Sequence, residues 1–520
     1  MSARSHRIGL LLSVTLTGMA VLIIEITAIR MLAPFFGNSI FTISSVIGIM
    51  LAALAFGYYL GGSLADRRPS AVWFFSLIVI AGFSVLLLQF FNAVLLPGIA
   101  YSLSLIDGPL IVSLVMFFLP AMFLAMLSPF AIALLHAREA GKGVGNASGL
   151  VFFWSTLGSI AGSLSTGFLL IPHWGIGNII VGTGSGLVLL GGAGLLMTRK
   201  LPKILPVGLA LLGLISGIAL RHAGTADGRS VVFAADGLYE RIVIRDIPYH
   251  DRSARILLQD LSVSGGLYLD DGSMAFDYTR YFDLYRLFVP ELKTALAIGG
   301  GAYTVPRSIL HDSPRAIVDV AEIDPSLHSL ALRYFDLPDD ARLRNHVIDG
   351  RRFLHDTAER YDLIFSDAYR SFISAPPQFT TLEFFRLARS RLRENGVLIA
   401  NFYGSLAPES RAAIYSVFRT MRAAFPQVYV IATVSPSSEE LQNFIFVGHN
   451  ASNPDKRTDL RQAAVVEFAT PMLKGVAALE LPAADALLDA HPVLTDDFAP
   501  VEYYAANAIR RYDAASRTTH

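Results

Sequence analysis

Long and nearly continuous apolar runs fill the first 220 positions of the chain, whereas the later positions alternate between short apolar runs and polar segments. A helix needs about 20 consecutive apolar residues to cross a bilayer. The early part of the sequence contains seven runs of roughly that length. We therefore predict membrane-spanning helices at 8–34, 40–64, 71–96, 109–135, 146–171, 176–197 and 203–220, of which the last is the shortest.

The basic residues of this region are confined to alternate loops. The loops at 35–39, 97–108 and 172–175 contain no Lys or Arg, while the other loops carry Arg4, Arg7, Arg67, Arg68, Arg138, Lys142, Arg199, Lys200 and Lys203. Because Lys and Arg are enriched in cytoplasmic loops, we expect a multi-pass protein of the cell (inner) membrane with a cytoplasmic N-terminus. If segment 203–220 crosses the bilayer, the rest of the chain lies outside the cytoplasm.

One acidic residue, Glu25, falls deep inside the first predicted span. A carboxylate in hydrocarbon is costly, so we expect Glu25 to face the interior of the helix bundle. It could bind a ligand or a proton there. It could equally be a structural group that is hydrogen-bonded to a neighbouring helix.

The charge of the chain divides along the same boundary. The 42 basic and 42 acidic residues cancel, but residues 1–222 carry eleven basic and four acidic side chains, which leaves 31 and 38 for the remainder. Neither part has the strong basic field of a nucleic-acid-binding protein, so we expect no nucleic acid as a partner. The apolar runs lead us to expect the lipid bilayer as a partner. The chain contains no Cys, which excludes disulfides and thiol nucleophiles, and its His residues lack the spacing of metal ligands.

After a linker at 223–230, the pattern predicts two further folding units and a C-terminal extension. Residues 231–285 alternate apolar and polar positions between turn signals, as in a small antiparallel β-domain. Residues 286–450 alternate strands and helices, which indicates a doubly wound α/β domain with a mainly parallel sheet. We expect strands at 294–298, 316–320, 346–348, 362–366, 397–402, 428–433 and 443–448, helices at 303–312, 325–335, 380–394 and 408–424, and an extension at 451–520. The dipeptide Asn395-Gly396 is expected to end the third of these helices.

Glycines and acidic residues follow the predicted parallel strands directly. They are Gly299, Gly300, Gly301, Glu322, Asp349 and Asp367. Ligands of open α/β sheets bind beyond the carboxyl ends of the strands, so these residues define a candidate site. The glycines could let the backbone approach a ligand, and Glu322 follows them at about the spacing of a ribose-binding acid; alternatively, they only form a tight turn. Tyr303 stands where a pyrophosphate loop has its third glycine, which favours a nucleoside without phosphates.

Asp367 ends a strongly apolar strand. A partly desolvated carboxylate in that position could act as a general base toward an amine or a hydroxyl. It could also be an N-cap or a turn residue for the segment that follows.

These motifs, in this order, resemble the spermidine synthase (polyamine aminopropyltransferase) family, and in particular its membrane-fused bacterial branch. The resemblance rests on Leu238-Tyr239-Glu240-Arg241-Ile242, Gly299-Gly300-Gly301, Glu322-Ile323-Asp324, Asp349-Gly350, Ser366-Asp367-Ala368, Phe379-Thr380-Thr381-Leu382-Glu383-Phe384-Phe385 and Val493-Leu494-Thr495-Asp496-Asp497-Phe498-Ala499-Pro500. It implies a multi-span helical domain, a small β-domain and a Rossmann-like methyltransferase-type domain, in a chain that forms a possible homodimer.

The resemblance also implies a reaction. The family transfers an aminopropyl group from decarboxylated S-adenosylmethionine to putrescine and releases methylthioadenosine. We therefore expect an adenosyl donor and an amine as small-molecule partners, with decarboxylated S-adenosylmethionine or S-adenosylmethionine as co-substrate and no permanently bound cofactor.

Residue roles follow from the same resemblance. Glu322 would bind the ribose hydroxyls, with Glu240, Asp324 and the glycines 299–301 in the same cofactor-binding set, while Asp349 and Gly350 would bind the adenine. Asp367 matches the acid that deprotonates the attacking amine. A catalytic tyrosine is expected within 276–281, where the distance to the glycines favours Tyr278 over Tyr281.

Three positions depart from the family pattern. Ala302 replaces an Asp that binds the amine of the donor, Arg370 replaces an Asp that binds the diamine, and Glu240 replaces a Gln. Since a dication needs carboxylates around it, the nucleoside half of the site is kept and the polyamine half is altered. Arg370 could receive an anionic group such as the carboxylate of intact S-adenosylmethionine, or it could be a solvated loop residue.

Three functional interpretations remain open at this point. The first is a membrane-bound transferase of the aminopropyltransferase type. The second is a transport-associated protein, or a nucleoside or polyamine sensor, without turnover. The third is an enzyme that transfers a methyl or another alkyl group. A cytoplasmic supply of adenosyl donors disfavours the first interpretation if the domain lies outside.

Overall fold

The computed structural model describes residues 3–137, 143–198, 208, 211–212, 215, 230–260, 262–368, 376–453, 457–468, 471–482 and 484–505. Its contacts divide the chain into two compact units, Met1–Gly228 and Arg229–His520. The boundary falls inside the linker that composition predicts at 223–230. Each unit is described by itself below.

The first unit consists of helices α1 (Ala3–Phe36), α2 (Ile40–Arg67), α3 (Ala71–Phe90), α4 (Leu96–Ile99), α5 (Gly108–Ala125), α6 (Leu127–His136), α7 (Val144–Ser165), α8 (Ile171–His173) and α9 (Ile176–Thr198). They form six apolar segments long enough to cross a membrane: His6–Phe36, Ile40–Arg67, Ala71–Ile99, Gly108–His136, Val144–His173 and Ile176–Thr198. These correspond to the first six predicted spans. Most of the predicted seventh span, 203–220, lies outside the described residues.

Small residues bring these helices together in pairs. A Cβ atom built on Gly158 of α7 would lie 1.9 Å from the carbonyl oxygen of Thr15 in α1, and one on Gly61 of α2 would lie 2.6 Å from the Met126 backbone. A third contact of this kind joins α9 to α3 at Gly184. Close backbone approach of this type is how helices associate in lipid, where apolar burial gives no driving force.

The second unit begins with a small four-stranded antiparallel sheet. Its strands are β1 (Val231–Asp236), β2 (Arg241–Tyr249), β3 (Arg252–Gln259) and β4 (Ser262–Tyr268), paired in that order. A 3₁₀ segment, Asp277–Leu287, follows and leads into the next domain.

The larger sheet has seven strands: β5 (Thr294–Ile298), β6 (Ile317–Glu322), β7 (Leu343–Val347), β8 (Tyr361–Ser366), β9 (Leu392–Gly404), β10 (Gln427–Ala432) and β11 (Gln442–His449). Their spatial order is β10-β11-β9-β8-β5-β6-β7, and the pairs among β5 to β9 are parallel. The connecting helices are α10 (Thr304–Asp312), α11 (Leu327–Tyr334), α12 (Gly350–Asp356), α13 (Leu382–Ser390) and α14 (Ala412–Arg422), and α15 (Asp485–Asp489) follows the sheet. The predicted fold class, apolar helices followed by a small antiparallel sheet and a Rossmann-like domain, is confirmed.

The predicted helix at 380–394 is wrong at its C-terminal end. Helix α13 stops at Ser390, and the chain enters β9 at Leu392, which pairs with Tyr361 of β8. Asn395 has a φ of 62° within the irregular start of that strand, and its N–H donates to the carbonyl oxygen of Asn450. Asn395-Gly396 therefore forms a bend in a strand and not a helix cap. Helix α12, directly after Asp349, was not predicted.

Candidate active site

The carboxyl ends of β5, β6 and β8 are joined by backbone hydrogen bonds of 3.0 Å. The N–H of Gly299, just after β5, donates to Ala321 of β6, and the N–H of Asp367, just after β8, donates to Ile298 of β5. These bonds bring together three of the segments predicted to carry the chemistry. Such a row of strand ends is where open α/β sheets bind ligands.

The three glycines are required by protein contacts. Gly299 and Gly301 have φ values of 89° and 50°, which residues with a Cβ rarely adopt. A Cβ on Gly299 would lie 2.9 Å from the carbonyl oxygen of Asp367, and one on Gly301 would lie 2.2 Å from that of Ser264 in β4. A Cβ on Gly300 would meet the ring of Tyr303 at 2.4 Å. Packing alone thus explains why glycine is needed here, which weakens the inference from the glycines to a ligand.

Glu322 is buried at the end of β6, with 5 % of its surface exposed. Each of its carboxylate oxygens accepts one backbone hydrogen bond of 2.7 Å, from Gly300 on one side and from Asp324 on the other. Burial raises the pKa of the Glu322 carboxyl above its ordinary value, and these backbone N–H groups act in the opposite direction. The backbone N–H of Gly301 also interacts with this carboxylate. A carboxylate has about four acceptor positions, so at least one remains for a hydroxyl group.

Asp324 faces a different set of partners. Its Oδ1 accepts hydrogen bonds from the N–H (2.8 Å) and the hydroxyl (2.6 Å) of Ser326, while its Oδ2 is buried and has no hydrogen-bond partner in the described part of the chain. A Cβ on Gly237 would lie 3.2 Å from Oδ2. The turn at 237–240, closed by a bond from the Gly237 N–H to the Glu240 carbonyl, is therefore beside the end of β6.

Asp367 is the centre of a hydrogen-bonded group at the end of β8. Its Oδ1 accepts a 3.0 Å hydrogen bond from the side chain of Asn401 in β9, and its carboxylate also interacts with the hydroxyl of Tyr278. The side-chain oxygen of Asn401 in turn accepts a 2.9 Å bond from Asn443 in β11. Among the described residues, the Asp367 side chain caps no helix.

The environment of Asp367 changes its acidity. Burial raises the pKa of the Asp367 carboxyl to about 6, although the hydrogen bonds from Asn401 and Tyr278 lower it. A carboxylate with a pKa of about 6 is ionised at neutral pH and is a stronger base than an exposed Asp. This combination suits a group that accepts a proton during a reaction.

The two candidate tyrosines have different surroundings. Tyr278 is half-buried and reaches Asp367. Tyr281 is 1 % exposed and lies in the apolar core between the sheet and its helices. The geometry thus brings Tyr278, and not Tyr281, to the carboxylate.

Asp349 and Gly350 begin helix α12. The side chain of Asp349 caps the helix by accepting a 2.9 Å hydrogen bond from the Arg352 N–H. A Cβ on Gly350 would lie 2.3 Å from Cγ2 of Ile298, the last residue of β5. The start of α12 is therefore seated directly on the strand that leads into the glycines.

The structure describes one of the two altered amine-binding positions. Ala302 is buried, donates its N–H to Ser264 at 2.9 Å, and packs its methyl group toward Gly265 of β4. The next residue, Tyr303, adopts a φ of 56° and donates its hydroxyl to Asn345 at 2.6 Å. Arg370 lies outside the described residues.

Sequence reasoning missed the two asparagines that support Asp367. Asn401 is 4 % exposed and is the one polar residue in the apolar run Val397-Leu398-Ile399-Ala400-Asn401-Phe402. A lone amide in a buried strand needs a partner, so this signal was available. Asn443 begins the apolar run of β11 and carried no comparable signal.

Comparison with known proteins shows what this region is similar to. Residues 283–457 match the spermine/spermidine synthase domain. The chain is 30 % identical over 244 residues to a probable polyamine aminopropyl transferase of Bifidobacterium longum, which covers 44 % of this chain and 53 % of that protein. It is 24 % identical over 459 residues to polyamine aminopropyltransferase 2 of Aquifex aeolicus, covering 83 % and 86 % of the two chains. The chain thus spans about half the length of the Bifidobacterium relative and most of the Aquifex one.

A solved structure also matches this region. It is a probable spermidine synthase from Corynebacterium glutamicum, with 22 % sequence identity and a TM-score of 0.43, covering 51 % of this chain and 96 % of that one.

Proposed function

We propose that this chain, whose residues 283–457 match the spermine/spermidine synthase domain, is a membrane-bound aminopropyltransferase. It would transfer the aminopropyl group of decarboxylated S-adenosylmethionine to putrescine or another amine. The observation that carries the proposal is the Asp367 carboxylate, which interacts with Tyr278 and Asn401 and has a pKa of about 6.

The proposed reaction is one displacement at carbon. The neutral amine nitrogen of the acceptor attacks the aminopropyl carbon next to the sulfonium, a carbon–nitrogen bond forms, and the carbon–sulfur bond breaks. The sulfur keeps the electron pair of that bond and leaves as methylthioadenosine. The proton lost by the attacking nitrogen passes to Asp367, and the Tyr278 hydroxyl orients the carboxylate.

The donor would occupy the row of strand ends. Glu322, whose carboxylate is held by backbone N–H groups, retains at least one acceptor position for a ribose hydroxyl. The first turn of α12, with Asp349 and Gly350, would contact the adenine. Ala302 offers no charge to the amine of the donor, so we expect weaker discrimination between donor forms here than a carboxylate would give.

Product analysis with the full-length chain in detergent tests this proposal. With decarboxylated S-adenosylmethionine and putrescine, we expect equal amounts of spermidine and methylthioadenosine, and a loss of both in Asp367→Asn. If the wild type binds methylthioadenosine but forms no product with any diamine or polyamine, aminopropyl transfer is excluded, and a nucleoside sensor or the transfer of another alkyl group remains. If it binds neither methylthioadenosine nor an adenosyl donor, both enzyme interpretations, aminopropyl transfer and transfer of another alkyl group, are excluded.

We also propose a cell-membrane location with a cytoplasmic N-terminus. Six apolar helices and the restriction of basic residues to alternate loops support this placement. The side of the catalytic domain depends on segment 203–220.

A further inference from the structure

A turn near the C-terminus, at 494–498, contacts two helices beside the candidate site, α12 and α13. The turn is closed by reciprocal backbone hydrogen bonds of 3.0 Å between Thr495 and Phe498. It is fixed at its start by Leu494, which is fully buried and donates its N–H to the hydroxyl of Thr420 in α14. The turn therefore presents Asp496 on a rigid support.

Asp496 forms a two-point ion pair with the first turn of α12. Nη1 and Nη2 of Arg351 donate to Oδ1 and Oδ2 of Asp496 at 2.7 and 2.5 Å. The Arg351 guanidinium lowers the pKa of Asp496 below its ordinary value. Paired N–H donors of this kind fix the orientation of both partners. Arg351 directly follows Gly350, the residue seated on Ile298.

The same carboxylate also contacts the start of α13. The hydroxyl of Thr381, the N-cap of that helix, donates to Asp496 Oδ1 at 2.8 Å. The backbone N–H of Asp496 donates to Glu383 at 3.0 Å, and Leu382 donates to the Leu494 carbonyl at 2.9 Å. One residue thus ties α12 and α13 together.

Arg351 adds a third connection. Its Nη1 also donates to the carbonyl oxygen of Gln378 at 3.3 Å. Gln378 precedes α13 and belongs to the segment that the chain reaches after Asp367 and Arg370. The Asp496–Arg351 pair thus lies between the start of α12 and the chain that follows Asp367.

We propose that Asp496 is a positioning residue for the adenosyl donor. Through Arg351 it would fix the first turn of α12, and with it Asp349 and Gly350, in the orientation that receives the adenine. The inference rests on the proposed function, because the donor is what α12 would bind. It assigns a role to the C-terminal turn that the reaction chemistry does not require.

Substitution of Asp496 by Asn, in the full-length chain in detergent, tests this role. The amide keeps the size of the side chain and removes the charge that pairs with Arg351. We expect the Kd for methylthioadenosine and the KM for decarboxylated S-adenosylmethionine to rise about tenfold, because charge-assisted bonds are about twice as strong as neutral ones. The kcat should change by less than about twofold, since Asp496 is proposed to act only on donor binding.

Two neighbouring variants serve as matched controls. Asp497→Asn removes the adjacent acid of the same turn, which is exposed and makes no hydrogen bond or ion pair to the residues that the structure describes. Asp356→Asn breaks another Arg–Asp pair of α12, the exposed Arg352–Asp356 bond. Both should leave Kd and KM unchanged.

A double-mutant cycle separates positioning from general damage to the fold. If the two side chains act through one contact, Asp496→Asn combined with Arg351→Gln should weaken binding no more than the worse single variant. Three results would each overturn the inference. The losses in affinity of the two single variants could be additive, or the Kd of Asp496→Asn could equal that of the wild type. The third is a fall in kcat as large as the rise in KM. If the wild type and Asp496→Asn bind methylthioadenosine equally well, the role of Asp496 is refuted and the proposed function is not. If the wild type does not bind methylthioadenosine, both the role of Asp496 and the proposed function are refuted.

Discussion

Replacement of Asp367 by Asn is expected to stabilise the second unit while it removes activity. Burial raises the pKa of this carboxyl from an ordinary 3.8 to about 6, so the folded state binds its proton more tightly than the unfolded state does. The stability contributed by the protonated form is complete below about pH 4 and is lost as the pH rises to about 6. At neutral pH the wild type therefore bears the cost of a buried charge, which Asn does not carry.

The size of the effect follows from the shift in pKa. A difference of about two pKa units corresponds to about 3 kcal/mol. Because Asp367 retains partial exposure, we expect a measured gain of about 1–3 kcal/mol for Asp367→Asn at pH 7.5. This gain in stability should shrink as the pH falls from 6 to 4, since the wild-type carboxyl becomes protonated and neutral over that range. Loss of a general base should reduce kcat by about 10²–10⁴-fold.

Hydrogen exchange detected by mass spectrometry, on peptides from β5, β8 and β9 of the full-length chain, measures this stability locally. All three tryptophans lie within the first 174 residues, so tryptophan fluorescence reports on the first unit and provides an internal control that should not change. Asp497→Asn is the matched acid-to-amide control. Two results would refute the reasoning. If Asp367→Asn is less stable than the wild type at pH 7.5, the site favours the ionised carboxylate. If its gain in stability does not depend on pH, the gain does not come from the charge of the carboxylate.

Four further outcomes are expected. Tyr278→Phe should lower kcat about 10- to 100-fold because it removes a hydrogen bond to the proposed base, whereas Tyr281→Phe should leave steady-state kinetics nearly unchanged; equal effects would contradict the assignment. Glu322→Gln should raise the KM for the donor at least tenfold, since the amide places N–H groups against backbone donors, and an unchanged KM would exclude ribose binding. Gly301→Ala should destabilise the second unit by about 2 kcal/mol or more in hydrogen exchange, because of its positive φ and the Ser264 carbonyl; native stability would contradict the contact. A reporter fused after His520 should be active outside the cytoplasm if segment 203–220 crosses, and a cytoplasmic signal would refute seven crossings.

The sequence was sufficient for the class of each unit. Long apolar helices and parallel strands are both determined by local patterns: an apolar run of sufficient length, or alternation of short buried strands with amphipathic helices. The acids at strand ends could be picked out for the same reason, since the end of a strand is visible as the end of an apolar run. Glu322, Asp349 and Asp367 were placed in this way. The local pattern was a poor guide where helix α13 is followed directly by strand β9, near Asn395. The amphipathic pattern predicted a helix up to residue 394, but the helix ends earlier because Leu392 pairs with β8.

Only the tertiary structure decided which side chains act on one another. The sequence spacing favoured Tyr278 over Tyr281 but could not show that one reaches Asp367 and the other is in the core. Asn401 is 34 positions from Asp367, and Asp496 is 145 positions from Arg351. The local sequence therefore does not identify either partner, although the lone amide of Asn401 in an apolar strand indicates that it has one. The raised pKa of Asp367 likewise depends on burial by distant strands. The sequence therefore determined the chemical groups and the units that carry them, whereas folding determined their partners and their acidity, because both depend on neighbours that the chain brings together from remote positions.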